Sequence, residues 1–151
     1  MYQMMNLNYQ NTKPRTVLFL CTGNSCRSQM AEAIVNAKYK KDWQALSAGT
    51  EPAGFVHPLA LQVLSEIGIY HQGRSKHVDE LRQIQFDLVV TVCDNAVETC
   101  PVWLGPETRI HVGFPDPAKV TGEDEIVLAA FRQVRDDILN RIPPELEMTN
   151  D

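Results

Sequence analysis

The stretch Thr16-Val17-Leu18-Phe19-Leu20, running straight into Cys21-Thr22-Gly23-Asn24-Ser25-Cys26-Arg27-Ser28, decides the fold of this 151-residue chain. Unbroken apolar character suits a strand buried on both faces, not one that alternates between core and water. After the loop, residues 29–41 are rich in Ala, Met and Lys and read as a helix with Met30, Ala33, Ile34 and Ala37 on one face. Strand, loop and helix then repeat. Residues 44–48 predict a short strand ended by Gly49. Pro58 suits the first turn of a helix carrying Leu61, Val63, Leu64 and Ile67 and closed by Gly68. A short helix is expected over 78–84, a second buried strand over 87–92 and a weaker one over 109–112. The last helix is clearest: Val127, Ala130, Phe131, Val134, Ile138 and Ile142 follow the 3,4-residue rhythm, with Glu123-Asp124-Glu125 at its start. Pro143-Pro144 is expected to stop it. Such alternation predicts an α/β fold, three layers α/β/α around a four-stranded parallel sheet. Ligands of such sheets bind beyond the carboxyl ends of the strands, where Cys21 and Cys93 both stand.

The length fits one domain, expected over residues 15–143. Residues 1–14 are polar and Asn/Gln-rich and read as a disordered extension, and 144–151 as a frayed tail. A chain of this size buries roughly 70% of its unfolded surface, so its core needs neither metal nor disulfide. No apolar run approaches the ~18 residues of a membrane span. The amino terminus lacks a signal peptide's basic start, apolar centre and small-residue cleavage site, so a cytoplasmic location is expected; the chain is separately expected to be a monomer. With 14 Lys+Arg against 19 Asp+Glu, the net charge of −5 argues against nucleic acid as a partner. A small anion remains compatible, because backbone N–H groups can bind one inside an acidic protein. Four cysteines in a reducing compartment point to catalysis or metal binding before structure.

The loop after the first strand has the composition of an oxyanion cradle: Cys21, five residues, Arg27, Ser28. Thr22, Gly23, Asn24, Ser25 and Cys26 can aim successive N–H groups at a tetrahedral anion, and the following helix adds the positive end of its dipole. Gly23 and Asn24 tolerate the positive φ such a curl requires. Arg27 can grip two anion oxygens in a fork. The same field is expected to draw the Cys21 thiol towards thiolate, and Ser28 can add a hydroxyl donor to the sulfur.

Cys93 and Cys100 are seven residues apart, the wrong spacing for a Cys-x2-4-Cys zinc knuckle, and His57, His71, His77 and His111 make no second half of one. No metal site is expected. Inert core cysteines and a thiol relay both stay open. A disulfide between the two needs α-carbons about 4.4–6.8 Å apart, reached only if the segment is helical or loops back. Adjacent strand ends would also bring Cys93 near Cys21.

The Cys-x5-Arg-Ser loop so near the amino terminus resembles that of the low-molecular-weight protein tyrosine phosphatase superfamily, and Asp116-Pro117 occupies the place of its general acid. With Cys93 and Cys100 included, the chain is similar to the thioredoxin-coupled arsenate reductases built on that fold. The likeness runs over residues 16–142 through Cys-Thr-Gly-Asn-Ser-Cys-Arg-Ser-Gln-Met-Ala-Glu (21–32), Ser-Ala-Gly-Thr (47–50) and Val-Val-Thr-Val-Cys-Asp-Asn-Ala (89–96). Cys100-Pro101, residues 114–118 and residues 131–136 extend it. It implies that arsenate is attacked by Cys21, with Arg27 and the loop N–H groups binding it and Asp116 protonating the leaving oxygen. Cys93 then attacks Cys21, arsenite departs, and Cys100 attacks Cys93 to leave a disulfide that thioredoxin reduces. A glutathione–glutaredoxin system is the other candidate reductant. Cys26 is read as a bystander.

Phosphate and sulfate are expected to act as analogues, and no tightly bound cofactor is implied. Some members bind potassium through positions matched here by Asn24, Glu32 and Ser47, but the fourth, an Asp, is Tyr70; these three residues are then expected to brace the loop. The rival activity is phosphomonoester hydrolysis by the same loop and acid. Ala118-Lys119 after Asp-Pro, in place of aromatic residues, disfavours phosphotyrosine. A non-catalytic oxyanion or redox sensor would leave Asp116 without a role.

Overall fold

A computed structural model describes residues 13–94, 98, 100–103 and 105–149. The expected extension over 1–14 therefore lies outside the described residues up to position 12, as do positions 95 and 96 of the 89–96 motif. The elements run β1 (Arg15–Cys21), α1 (Arg27–Lys38), β2 (Trp43–Gly49), α2 (Pro58–Ser65), β3 (Leu88–Thr91), β4 (Thr108–His111) and α3 (Asp124–Met148), with 3-10 turns at Val78–Leu81 and Pro117–Lys119. The four strands pair in parallel in the order β2-β1-β3-β4. The chain moves outward from β1 to β2, then crosses to the other side of β1. That reversal opens a crevice beyond the carboxyl ends of β1 and β3.

The layers are unequal. Val17, Phe19 and Val90 point to the face covered by α1, α2 and α3, where Met30, Ile34, Val63, Phe131 and Ile138 complete the main core. Leu18, Leu20 and Val89 point to the other face, closed by Val78, Leu81, Phe86 and Trp103 from a 3-10 turn and loops. The run 78–84, expected as a helix, forms only the turn Val78–Leu81. Burial of α1 is also broader than its expected stripe. Residues from Arg27 to Val35 are buried all round, because the helix starts beneath the loop and ends at the surface, leaving Ala37 exposed.

Pro143-Pro144 does not end the last helix. It continues to Met148 with both prolines inside it. Each proline removes one N–H and crowds the carbonyl four residues back. Burial of Ile142, Pro143 and Leu146 and a bond from the Arg15 guanidinium to the Thr149 carbonyl offset that loss. Residues 144–148 thus belong to the helix and not to a frayed tail.

Candidate active site

The loop between β1 and α1 is held from outside by its carbonyls. Thr22 O accepts from Glu51 N (2.9 Å), Gly23 O from Ala53 N (2.9 Å) and Ser25 O from His57 N (3.1 Å), and Asn24 O accepts from Gln29 Nε2 (3.2 Å). Carbonyls turned outward leave the alternate side of the peptide planes, the N–H side, turned inward. Close approach of β2 requires Gly49, whose Cβ would lie 2.3 Å from Thr22 O. The positive φ falls on Asn24 (48°) and not on Gly23. Asn24 is fixed by its side chain, whose hydrogen-bonding capacity is fully used. Nδ2 donates to Ser28 Oγ (2.8 Å) and Ser47 Oγ (3.0 Å), and Oδ1 accepts from Gln29 Nε2 and Lys76 N, both at 3.0 Å.

This network assigns proton directions. Ser47 accepts from Asn24 and donates to Glu32 Oε1 (2.8 Å). Ser28 likewise accepts from Asn24, so its own proton is available to Cys21 Sγ, 2.9 Å away. Asn24 N donates to the same sulfur at 3.3 Å. Glu32 also faces His71 Nε2 at 3.7 Å and Lys76 Nζ at 4.0 Å. Burial is the leading cause holding both His71 and Lys76 below their ordinary pKa values. Because Gln29 Nε2 is the donor to Asn24, Gln29 Oε1 is the acceptor for His71 Nε2–H (2.7 Å).

Arg27, 4% exposed, donates Nη1 to Phe114 O at 3.1 Å. The same nitrogen meets Glu98 Oε1 at 2.9 Å, and Nη2 lies 3.7 Å from Asp116 Oδ2. Asp116 caps the 3-10 turn Pro117–Lys119 by accepting from Ala118 N (3.0 Å), which anchors its carboxylate at the mouth of the loop. Cys21, Cys26, Arg27, His57, Phe55, Asp116 and Ala118 line a cavity of about 210 Å³. A larger groove of about 670 Å³ lies elsewhere, around Phe86, Trp103 and Glu107, and carries no nucleophile.

Cys93 and Cys100 are joined by a disulfide with their α-carbons 5.8 Å apart, while Cys21 and Cys26 are free thiols. Cys93 follows β3 as Cys21 ends β1, and those strands are neighbours with Leu20 opposite Thr91. Cys93 is fully buried; Cys100 is half-buried and lies 4.0 Å from His111 Nδ1. Burial first, then the charges of Asp116 and Cys21, push the Cys26 thiol up to about 12. Among the described residues no cluster of His, Cys, Asp and Glu could hold a metal ion.

The fold thus gathers Cys21, Arg27, Ser28 and Asp116, and sets Asn24, Glu32 and Ser47 behind the loop as braces. Sequence reasoning missed Gln29, Lys76, Phe55, His57 and Glu98. Gln29 and Glu32 carried a signal, a polar pair in the most buried part of a helix. Phe55 and His57 reach the cavity from a loop without periodicity and carried none.

Residues 16–146 match the family described as low molecular weight phosphotyrosine protein phosphatase, and the chain belongs to that family. Within it, an arsenate reductase of Halalkalibacterium halodurans is 45% identical over 129 residues, 85% of this chain and 92% of the relative. An arsenate reductase structure from Archaeoglobus fulgidus superposes with a TM-score of 0.73 at 35% identity, covering 87% of this chain and 98% of that one. A thioredoxin-dependent arsenate reductase of Corynebacterium glutamicum gives a TM-score of 0.62 at 25% identity, over 95% of this chain and 67% of that one.

Proposed function

We propose that this chain is an arsenate reductase that turns over through Cys21, Cys93 and Cys100 with thioredoxin as its reductant. The observation that carries the reading is the Cys93–Cys100 disulfide at the end of the strand beside Cys21; ester hydrolysis on this loop has no use for it. Arsenate binds among the N–H groups of residues 22–27 and on Arg27. The Cys21 thiolate, supported by Ser28 Oγ and Asn24 N, attacks arsenic, and Asp116 protonates the departing oxygen. Cys93 attacks Cys21 Sγ, a sulfur–sulfur bond forms, and the electron pair of the broken sulfur–arsenic bond stays on arsenic, which leaves as arsenite. Cys100 attacks Cys93 and expels Cys21 as thiolate.

Reduction of the resulting disulfide begins at Cys100, because Cys93 is fully buried and Cys100 is not. The external thiolate therefore reaches Cys100 Sγ, and its dithiol ends as a disulfide. The relative named thioredoxin-dependent supports thioredoxin in that part. Potassium has no place in this reading. The side chain at the fourth ligand position, Tyr70, is 82% exposed, and Glu32 already faces Ser47, Lys76 and His71. Phosphomonoester hydrolysis is the second reading, favoured by the aromatic side chains of Phe55 and His57 that line the cavity.

The test is nicotinamide absorbance in a mixture of the protein, thioredoxin, thioredoxin reductase and NADPH. Consumption that needs both arsenate and thioredoxin is expected. Hydrolysis of p-nitrophenyl phosphate with no arsenate-dependent consumption would leave the hydrolase reading alone.

A further inference from the structure

Behind the oxyanion loop Glu32 faces Lys76, and both are nearly buried. Their side chains are 12% and 10% exposed, with Lys76 Nζ 4.0 Å from Glu32 Oε1. A buried carboxylate needs a counter-charge as well as donors. Ser47 Oγ supplies one donor at 2.8 Å. His71 supplies little, because its Nε2–H goes to Gln29 Oε1 at 2.7 Å and stands 3.7 Å from Glu32 Oε2. Lys76 brings the ammonium that balances the charge. Its place is set at both ends of the residue. Lys76 N donates to Asn24 Oδ1, Lys76 O accepts from Gly49 N, both at 3.0 Å, and Nζ donates to Arg74 O at 3.1 Å.

The family resemblance implies a potassium ion beside Asn24, Glu32 and Ser47 in some members, but the groups present here do not fit one. A hard cation is held by oxygen atoms. Asn24 Oδ1 already accepts from Gln29 Nε2 and Lys76 N, both at 3.0 Å, which uses its two lone pairs. Asn24 turns its amide nitrogen towards Ser47, and the Ser47 proton lies on Glu32. An added cation would also share one carboxylate with an ammonium.

We propose that the Lys76 ammonium is the built-in cation of this brace, a positioning residue that holds Glu32 in place of a bound metal ion. Its reach extends to the sulfur of Cys21, the residue read above as the nucleophile. Glu32 takes the Ser47 proton, so Ser47 accepts from Asn24 Nδ2. The second Nδ2 hydrogen then falls on Ser28 Oγ, which leaves the Ser28 proton for Cys21 Sγ. Without the ammonium, the first link of that series is a buried carboxylate with no counter-charge.

Thermal melting and steady-state kinetics of the full chain, in potassium chloride and in choline chloride at equal ionic strength, test this. The parent should show one Tm and one kcat in both salts, because its cation is covalently attached. Lys76→Met keeps the stem and loses the charge. In choline its Tm should fall by about 5 °C, as a buried charge loses its partner. Its kcat for arsenate should fall about tenfold, the lower end for an indirect partner, with KM little changed because Arg27 and the loop N–H groups stay in place. Potassium should restore part of both losses, since the carboxylate is now open to a small cation and choline is too large to enter. Glu32→Gln/Lys76→Met leaves no charge unpaired, so it should melt above Lys76→Met and ignore potassium. If Lys76→Met does not fold in choline, a folded double variant supports the pairing equally. A parent stabilised by potassium, a Lys76→Met protein with the parent's Tm and kcat in choline or one blind to potassium, or a double variant no more stable than Lys76→Met would overturn the proposal. Absence of arsenate turnover by the parent would instead remove the assigned activity, and the melting data would still decide whether Lys76 is the cation.

Discussion

Asn24 carries a left-handed backbone, φ 48°, and four side-chain hydrogen bonds that aim the Ser28 proton at Cys21. Asparagine suits the position because it tolerates this φ better than other side chains and its amide can both donate and accept. Ser28 therefore acts on the sulfur and not on the anion. Ser28→Ala should lower kcat about a hundredfold, the usual effect of removing one donor from developing charge, with KM for arsenate little changed. Steady-state kinetics check this, and an unchanged kcat would remove Ser28 from the chemistry. The types and order of Cys21, Arg27 and Ser28 were legible in the chain, because an oxyanion demands those groups in one loop, whereas Asp116 was legible only through the family resemblance, since an Asp-Pro pair by itself reads as a turn. Glu98 was not legible. Nothing in Cys93-Asp94-Asn95-Ala96-Val97-Glu98-Thr99-Cys100 indicates which residue a closed loop turns towards Arg27.

The strands were readable as elements because burial on both faces leaves an unbroken apolar signature, as in β1 and β3. Helix ends were less so. Two prolines read locally as a terminus, yet α3 runs past them to Met148. Local propensity loses there to tertiary burial, since Leu146 is 2% exposed and packs in the main core. Leu146→Ala should destabilise the fold by about 2–5 kcal/mol, the range for a buried leucine, and removing residues 144–151 by at least as much. Urea denaturation of the two proteins measures this. A truncated chain as stable as the parent would show that the end of α3 is only an appendage.

The molecule as a whole has a net charge of −5, so in the proposed reading anion binding rests on local N–H groups and Arg27, not on its overall field. Its response to acid follows from two partly buried imidazoles. Burial is the leading cause that lowers the pKa of His57 and His71 from 6.5. Between that value and their folded ones, the unfolded chain binds more protons, so stability falls as pH drops below about 6.5. His71→Asn should flatten the decline in Tm between about pH 7 and pH 5; a Tm that rises on acidification would contradict the assignment. The relay is the central claim, and a single-turnover experiment with Cys100→Ser tests it most directly. Reduced variant, mixed with excess arsenate and mapped by mass after proteolysis, should yield about one arsenite per chain and a Cys21–Cys93 bridge, because the third thiol that would release Cys21 is gone. Sustained turnover at the parent's rate, or arsenite formed without that bridge, would contradict the account.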